Sequence, residues 1–409
     1  MRWLHQKLSE RFSVYRIWHN HPHHAFWHWI VLSGISLHLF IYFFHGFYPF
    51  HEGNYIYNAH HFLEDPRIKG GEFNFLRALG QYDAQWYLKI ASDGYPKNPS
   101  NVNIEDKSAM DGLTYAFFPL YPLTIALVNF FVNDIEGSAF ILSNFLLMIN
   151  FISLYYVVTK LYDREVAYKT CFLLFFFPFS IFYRSYFTEG LFLLFFIWFA
   201  YFFIKAKYFY AAVLLGFANV TRPNGLFLNL PFLYFLIKDL KGYKNYLVKL
   251  FPFSFLIILP LIIWIYLNFI NTDNPLYFYS VQGSWFYSES PFVPLMTNFE
   301  RLVNFDKLYF HLFHLSKLDY FMVFTSFIIL LISRKVLGFK LWSLSLVLSV
   351  FPLLIKDTMS YSRYIIVVFP FFIYLAKKLN DIGYGIIFGI FSTLLFLVSL
   401  LFVNWYWIG

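Results

Sequence analysis

Long, unbroken apolar runs are the feature that most limits what this chain can fold into. They lie near 26–45, 138–160, 168–184, 187–204, 208–222, 225–238, 247–270, 320–333, 339–355, 362–377 and 383–407. A bilayer core about 30 Å thick takes ~20 mostly apolar residues in one helix. The runs are continuous rather than alternating, which disfavours an outer-membrane barrel. Of the 409 residues, 59% are hydrophobic, 25% aromatic and only 13% charged, with 58 Phe. A water-soluble fold would have too little polar surface to cover that apolar mass. The same composition excludes a disordered chain. The expected fold class is an all-α polytopic membrane protein, with residues 1–409 forming a single integral membrane domain.

Charge then orients the runs. Lys and Arg number 31 against 23 Asp and Glu, a formal net charge of +8. The cations sit between apolar runs, as the positive-inside rule requires, so the excess implies no nucleic-acid partner. Lys160, Arg164 and Lys169 mark one cytoplasmic gap, and Lys205 and Lys207 a second. Lys238, Lys241, Lys244 and Lys249 mark a third, Arg334, Lys335 and Lys340 a fourth, and Lys377 and Lys378 a fifth. Residues 1–25, with Arg2, Lys7, Arg11 and Arg16, form a cytoplasmic arm, and the first apolar run follows as a retained segment rather than a cleaved signal peptide.

Parity of crossings singles out one further apolar run, 115–133. If both it and 138–160 crossed, the gap at 160–169 would fall outside, against its charge. Run 115–133 carries Pro119 and Pro122 near its start, and irregular backbone at membrane depth belongs where protein shelters it. It is expected to dip in from the outer side and return. That leaves about eleven crossings plus a re-entrant or juxtamembrane helix. Residues 45–137 become a first outer loop with interfacial helices, and 271–319 a second. The turns Tyr183–Glu189, Thr221–Gly225 and Lys356–Arg363 then share the outer face. There is no Gly-rich phosphate loop and no cytoplasmic domain to hold a nucleotide.

Several residues on that face can do chemistry. In Gln81–Tyr95, Trp86, Tyr87 and Ile90 fall on one side of a helix suited to the interface, with Asp83 one turn earlier. A carboxylate facing the membrane is costly without a partner or a function. Asp83 has two ordinary readings as well: a helix cap, or an ion pair with Lys89. Arg184, Arg222 and Arg363 lie at outer helix ends, where an arginine can snorkel to headgroups or bind phosphate through its planar fork. Glu189 can pair with Arg184 or meet an acceptor. His19, His21, His23, His24 and His28 cluster on the arm, where interfacial placement competes with metal binding. His60 and His61 lie in the first outer loop with no fixed role. The lone Cys171 permits neither a disulfide framework nor a Cys-based metal site within one chain. No paired acidic cluster of the kind that holds a divalent cation stands out, so no metal is expected.

The run Tyr82-Asp83-Ala84-Gln85-Trp86-Tyr87-Leu88-Lys89-Ile90-Ala91-Ser92-Asp93-Gly94-Tyr95 resembles the W-D-x-x-W-Y-x-x-I-A-x-x-G-Y signature of the PIG-V type mannosyltransferases. These are membrane glycosyltransferases of the GT-C fold, related to the enzyme that adds the second mannose of GPI anchors. The resemblance continues through Ala116-Phe117-Phe118-Pro119-Leu120-Tyr121-Pro122-Leu123 and Ser185-Tyr186-Phe187-Thr188-Glu189. It extends to Thr221-Arg222-Pro223-Asn224-Gly225 and Ser362-Arg363-Tyr364, in family order over most of the chain. Tyr82, where the family commonly has Trp, is a conservative departure.

The resemblance implies a GT-C-like fold and a polyprenyl- or dolichyl-phosphate mannose, or a related hexose, as donor. The acceptor is a glycan or glycolipid on the outer or luminal face. The family's acidic residue maps onto Asp83, expected as base toward the acceptor hydroxyl. Phosphate is a good leaving group, so one carboxylate suffices and no cofactor is required. Arg222 and Arg363, with Arg184, are the expected phosphate ligands, and Tyr82, Trp86, Tyr87, Glu189, Asn224 and Tyr364 the further substrate contacts. Transfer would invert the anomeric centre. The opposing expectation is a transporter or flippase of a polyprenyl-linked sugar, which needs the same cations but no base. The single N-x-[ST] site, Asn219-Val220-Thr221, at a membrane edge, favours a bacterial plasma membrane over the endoplasmic reticulum.

Overall fold

The computed structural model describes residues 22–58, 73–99, 109–282, 296, 316–355 and 360–408. His19, His21, His60, His61, residues 1–21 of the arm and residues 283–295 and 297–315 of the second outer loop lie outside the described residues. Within them every regular element is helical, and none is a strand.

The chain divides into two compact units, Met1–Phe47 and Tyr48–Gly409. In the first, helix α1 (Pro22–Phe44) runs into a short 3₁₀ turn at His45–Phe47. Phe40 and Phe44, one turn apart, stack with ring centroids 4.9 Å apart.

The second unit holds α2 (Glu52–Asn58), α3 (Phe75–Leu79), α4 (Asp83–Asp93), α5 (Leu120–Val132), α6 (Ile135–Leu161) and α7 (Arg164–Phe175). It continues with α8 (Glu189–Ile204), α9 (Tyr208–Asn219), α10 (Asn229–Leu240), α11 (Tyr246–Thr272) and α12 (Tyr277–Val281). After α13 (Ser316–Val350) come α14 (Pro352–Ile355), α15 (Tyr361–Ile365), α16 (Phe369–Lys378) and α17 (Asp381–Val403).

Four stretches are long and apolar enough to cross a membrane: Ile135–Leu161, Tyr246–Thr272, Asp319–Leu354 and Asp381–Val403. Many of their apolar side chains face outward. Phe251 is 69% exposed and Leu331 82% exposed, and α11 buries only Ile257, Trp264 and Asn268. An apolar exterior of this extent fits a lipid environment.

The other apolar runs are broken, and identifiable residues break them. Run 168–184 ends its α-helix at Phe175, and Pro178 opens a 3₁₀ turn, Pro178–Tyr183. Between α9 and α10, Pro223 opens a second, Pro223–Leu228. Proline suits the first position of such turns because it lacks the N–H that an α-helix would use. Runs 320–333 and 339–355 meet at Gly338, whose φ of 73° interrupts α13. Run 362–377 is split at 366–368 into α15 and α16. The segment expected to dip, α5, has 13 residues and is about 20 Å long at 1.5 Å per residue, short of a ~30 Å core. It ends at Asn133, in the left-handed region with φ 55°, and α6 packs back against it.

Some helix starts among the described residues are set by side chains. The Asp163 carboxylate accepts from the Val166 amide at 2.8 Å, and the Asn380 carbonyl from the Gly383 amide at 2.8 Å.

Candidate functional site

Asp83 opens α4, immediately after Tyr82, whose backbone lies at φ 53° and ψ −126°. That turn is pinned from behind. Gln81 is fully buried and its amide donates to the Val403 carbonyl at 2.9 Å. The Tyr186 amide and hydroxyl donate to the carbonyls of Leu79 and Leu76. The Tyr186 ring also packs where Gly80 has no side chain: a Cβ there would meet it at 3.1 Å.

From this turn the Asp83 carboxylate reaches across 280 residues of sequence. Its Oδ2 accepts from Arg363 Nη1 at 2.7 Å. Arg363 Nε donates to Glu189 Oε1, and the same oxygen lies 2.6 Å from Arg222 Nη1, close in charge but off the hydrogen-bond axis. The result is a four-charge chain, Asp83–Arg363–Glu189–Arg222, neutral overall. Its inner members are sealed: the side chains are 0% exposed for Glu189 and 7% for each arginine, whereas Asp83 is 28% exposed. Asp83 is therefore the end open to a ligand.

Each member is held by its own local structure. Glu189 begins α8 in the first turn, where the helix dipole favours a carboxylate. Arg222 sits between the end of α9 and the 3₁₀ turn at 223–228, and its amide donates to the Ala218 carbonyl. Gly225 makes that reversal possible, since a Cβ there would lie 2.5 Å from the Ala218 oxygen. The Tyr364 ring faces the Arg222 guanidinium at 5.6 Å. Arg363 lies against the rings of Phe187 at 4.5 Å, Phe182 at 5.1 Å and Trp407 at 6.0 Å, an arrangement that stabilises a desolvated cation.

The short helix bearing Arg363 is positioned by a residue that sequence reasoning missed. Asp319 is buried and accepts from the Ser362 amide at 2.7 Å and the Ser360 amide at 3.1 Å. It thus caps α15 from α13. The Tyr361 hydroxyl donates to the Ser349 carbonyl, and the Tyr183 hydroxyl to the Ile366 carbonyl. Nothing in the spacing of Asp319 announces this, because its partners lie more than forty residues downstream.

The other expected site residues divide. Trp86 stacks on Phe117 at 5.8 Å, and Tyr87 sits edge-on to Phe117 and Tyr121 at 5.2 and 5.3 Å. Both are buried on the helix that Asp83 opens, and Tyr82 packs on Trp405 and Trp407. Asn224 is buried in the turn beside Arg222. Arg184 is not brought into the chain of charges. It is fully buried, and Nη1 donates to the carbonyls of Phe175 and Ser180 and to the Ser180 hydroxyl at 3.3–3.4 Å. It satisfies carbonyls left open where α7 ends. Glu189 pairs with the other two arginines. Lys89 pairs with Asp93 and Asp111 at 3.5 and 3.3 Å, and Asp83 occupies the first helical position rather than the cap.

Burial raises the phenol of Tyr82 well above its ordinary range, so this ring stands beside Asp83 as a neutral hydroxyl at any working pH. Among the described residues no three His, Cys, Asp or Glu side chains gather as a metal set. Cys171 is free and buried. No family model, curated protein or solved structure matches this chain.

Proposed function

We propose that the protein is a membrane glycosyltransferase that moves a mannose or related hexose from a polyprenyl- or dolichyl-phosphate donor to an acceptor hydroxyl. The observation that carries this reading is the buried charge chain ending in one accessible carboxylate. It unites Asp83, Glu189, Arg222 and Arg363, residues from four of the five sequence blocks that resemble the PIG-V type family.

In the reaction the acceptor O–H gives its proton to Asp83 as the acceptor oxygen attacks C1 of the donor sugar. The C1–O bond to phosphate breaks, the lipid phosphate leaves with the electron pair, and the anomeric centre inverts. Arg363 orients the Asp83 carboxylate through its hydrogen bond to Oδ2. Once Asp83 is protonated, Arg363 still faces Glu189, so no buried cation is stranded. Arg222 meets Glu189 and the Tyr364 ring, and its buried Nη1 has no hydrogen-bond acceptor among the described residues, so on this reading it is the cation that turns to the departing phosphate. The remaining crossings of an eleven-helix, GT-C-like arrangement fall to the shorter apolar segments, with α5 as the dipping element. The site then faces the outer side of a bacterial plasma membrane, the reading favoured over the luminal side of an endoplasmic reticulum.

The test is transfer in detergent from a short-chain polyprenyl-phosphate mannose to octyl α-D-mannopyranoside, read by mass spectrometry. A transporter needs a sealed membrane; this chemistry does not. Asp83→Asn is expected to lower turnover ~10²–10⁴-fold, the usual cost of losing a positioned base. No transfer by the wild type, or a variant within a few-fold of it, refutes the reading.

A further inference from the structure

Beyond α17 the chain does not continue as a helix. Asn404 to Ile408 fold back as a hook against the turn that carries Asp83. The Asn54 side chain donates to the Trp405 carbonyl at 3.1 Å, and the His51 amide to the Asn404 carbonyl at 3.0 Å. Three rings meet at the hook: Tyr82 lies 5.1 Å from Trp405 and 4.7 Å from Trp407.

Two independent features make this cluster unusual. The first is backbone strain in two bulky residues that touch. Tyr82 has φ 53° and Trp405 φ 65°, a region that large side chains rarely adopt and that concentrates where geometry serves a ligand. The second is unmet polarity. The indole N–H groups of Trp405 and Trp407 are buried from solvent and hydrogen-bond to nothing among the described residues. Trp405 is 2% exposed. A buried tryptophan N–H ordinarily finds an acceptor.

The place matters as much as the chemistry. The Trp407 ring lies 6.0 Å from the Arg363 guanidinium, which hydrogen-bonds Asp83, so the hook borders the open end of the charge chain. Flat apolar faces combined with N–H donors suit a pyranose, which presents an apolar C–H face and a rim of hydroxyl acceptors.

We propose that the hook formed by Trp405 and Trp407, closed by Tyr82, is the acceptor-sugar platform. The choice of a sugar as occupant rests on the glycosyltransferase reading above. The acceptor ring lies against Trp407, its hydroxyls take the indole N–H groups as the hook adjusts, and one hydroxyl is delivered to Asp83. Trp405 and Trp407 thereby set acceptor specificity without moving protons.

The experiment separates this platform from the activity. Saturation-transfer NMR with methyl α-D-mannopyranoside in detergent should show transfer to the sugar C–H protons. Trp407→Ala should abolish it, and Trp407→Phe should retain it weakened. In the transfer assay Trp407→Ala should raise KM for octyl α-D-mannopyranoside at least tenfold, with donor KM unchanged within twofold. Trp407→Phe guards against a folding defect, because it keeps a ring in place. Saturation transfer that is absent from the wild type, or equal in wild type and Trp407→Ala, overturns the platform. So does transfer activity with unchanged acceptor KM, and that result leaves the glycosyltransferase reading standing. Trp407-dependent binding in a protein that transfers no sugar retains the platform and removes the reading.

Discussion

Replacing Glu189 by Gln tests the charge chain at its centre. Glu189 is fully buried and its Oε1 meets both Arg222 and Arg363. The native chain balances two guanidinium groups against two carboxylates. Gln keeps the shape and removes one negative charge, leaving two sealed cations with only the partly exposed Asp83 between them. Breaking a buried pair from one side costs about 3–5 kcal/mol, because the partner's desolvation is no longer offset. Two cations share the loss here, so the upper half of that range is expected. Unfolding in mixed detergent micelles, followed by near-ultraviolet circular dichroism, measures it. The companion is Glu189→Gln with Arg222→Met, which restores neutrality. That double variant should recover at least half of the lost stability, a coupling that a double-mutant cycle isolates. A single-variant cost below about 1 kcal/mol, or a double variant less stable than Glu189→Gln, would refute the view that these groups stabilise one another as a neutral unit.

Other perturbations reach neighbouring parts. Arg222→Ala should raise donor KM and lower kcat, and Arg222→Lys should restore only part of both, because a point charge does not replace a planar fork; steady-state kinetics with the short-chain donor decide. Gly225→Ala forces a Cβ to within 2.5 Å of the Ala218 oxygen and should cost about 1–3 kcal/mol by the same unfolding measurement, with Gly225→Ser no better. For topology, a cysteine in the 133–138 connector of a Cys171→Ala background should react with an impermeant thiol reagent from outside. One placed at 241–245 should react only after permeabilisation, and labelling of 133–138 from inside alone would make α5 a true crossing.

Continuous apolar runs made the helical class and three of the four long helices legible, whereas Asp319–Leu354 reads in sequence as two runs, 320–333 and 339–355. The breaks were only half legible. Pro178 and Pro223 could be read as punctuation, but the helix breaks at Phe175 and Asn219 depend on packing. The site was legible as a set of charges on apolar backgrounds, each too costly to be idle. Which charges meet was not: an arginine that satisfies helix-end carbonyls, as Arg184 does, looks in sequence like one that meets a carboxylate. Asp319 and Trp407 act through contacts with residues far away in the chain, and no local pattern encodes such partners.

The neutrality of the four-charge chain also has a meaning for selectivity. An empty pocket with two bare arginines would hold any small anion that drifted past, and a water-soluble sugar phosphate would compete for it. Here each cation already faces a carboxylate, so a free anion gains little by entering. On the glycosyltransferase reading, a phosphate must be brought in by something other than its charge, and a long isoprenoid tail partitioned into lipid supplies that free energy. Inorganic phosphate and short sugar phosphates would then be poor inhibitors, and discrimination against them would come from the balance of charges already inside the protein rather than from any contact with the sugar.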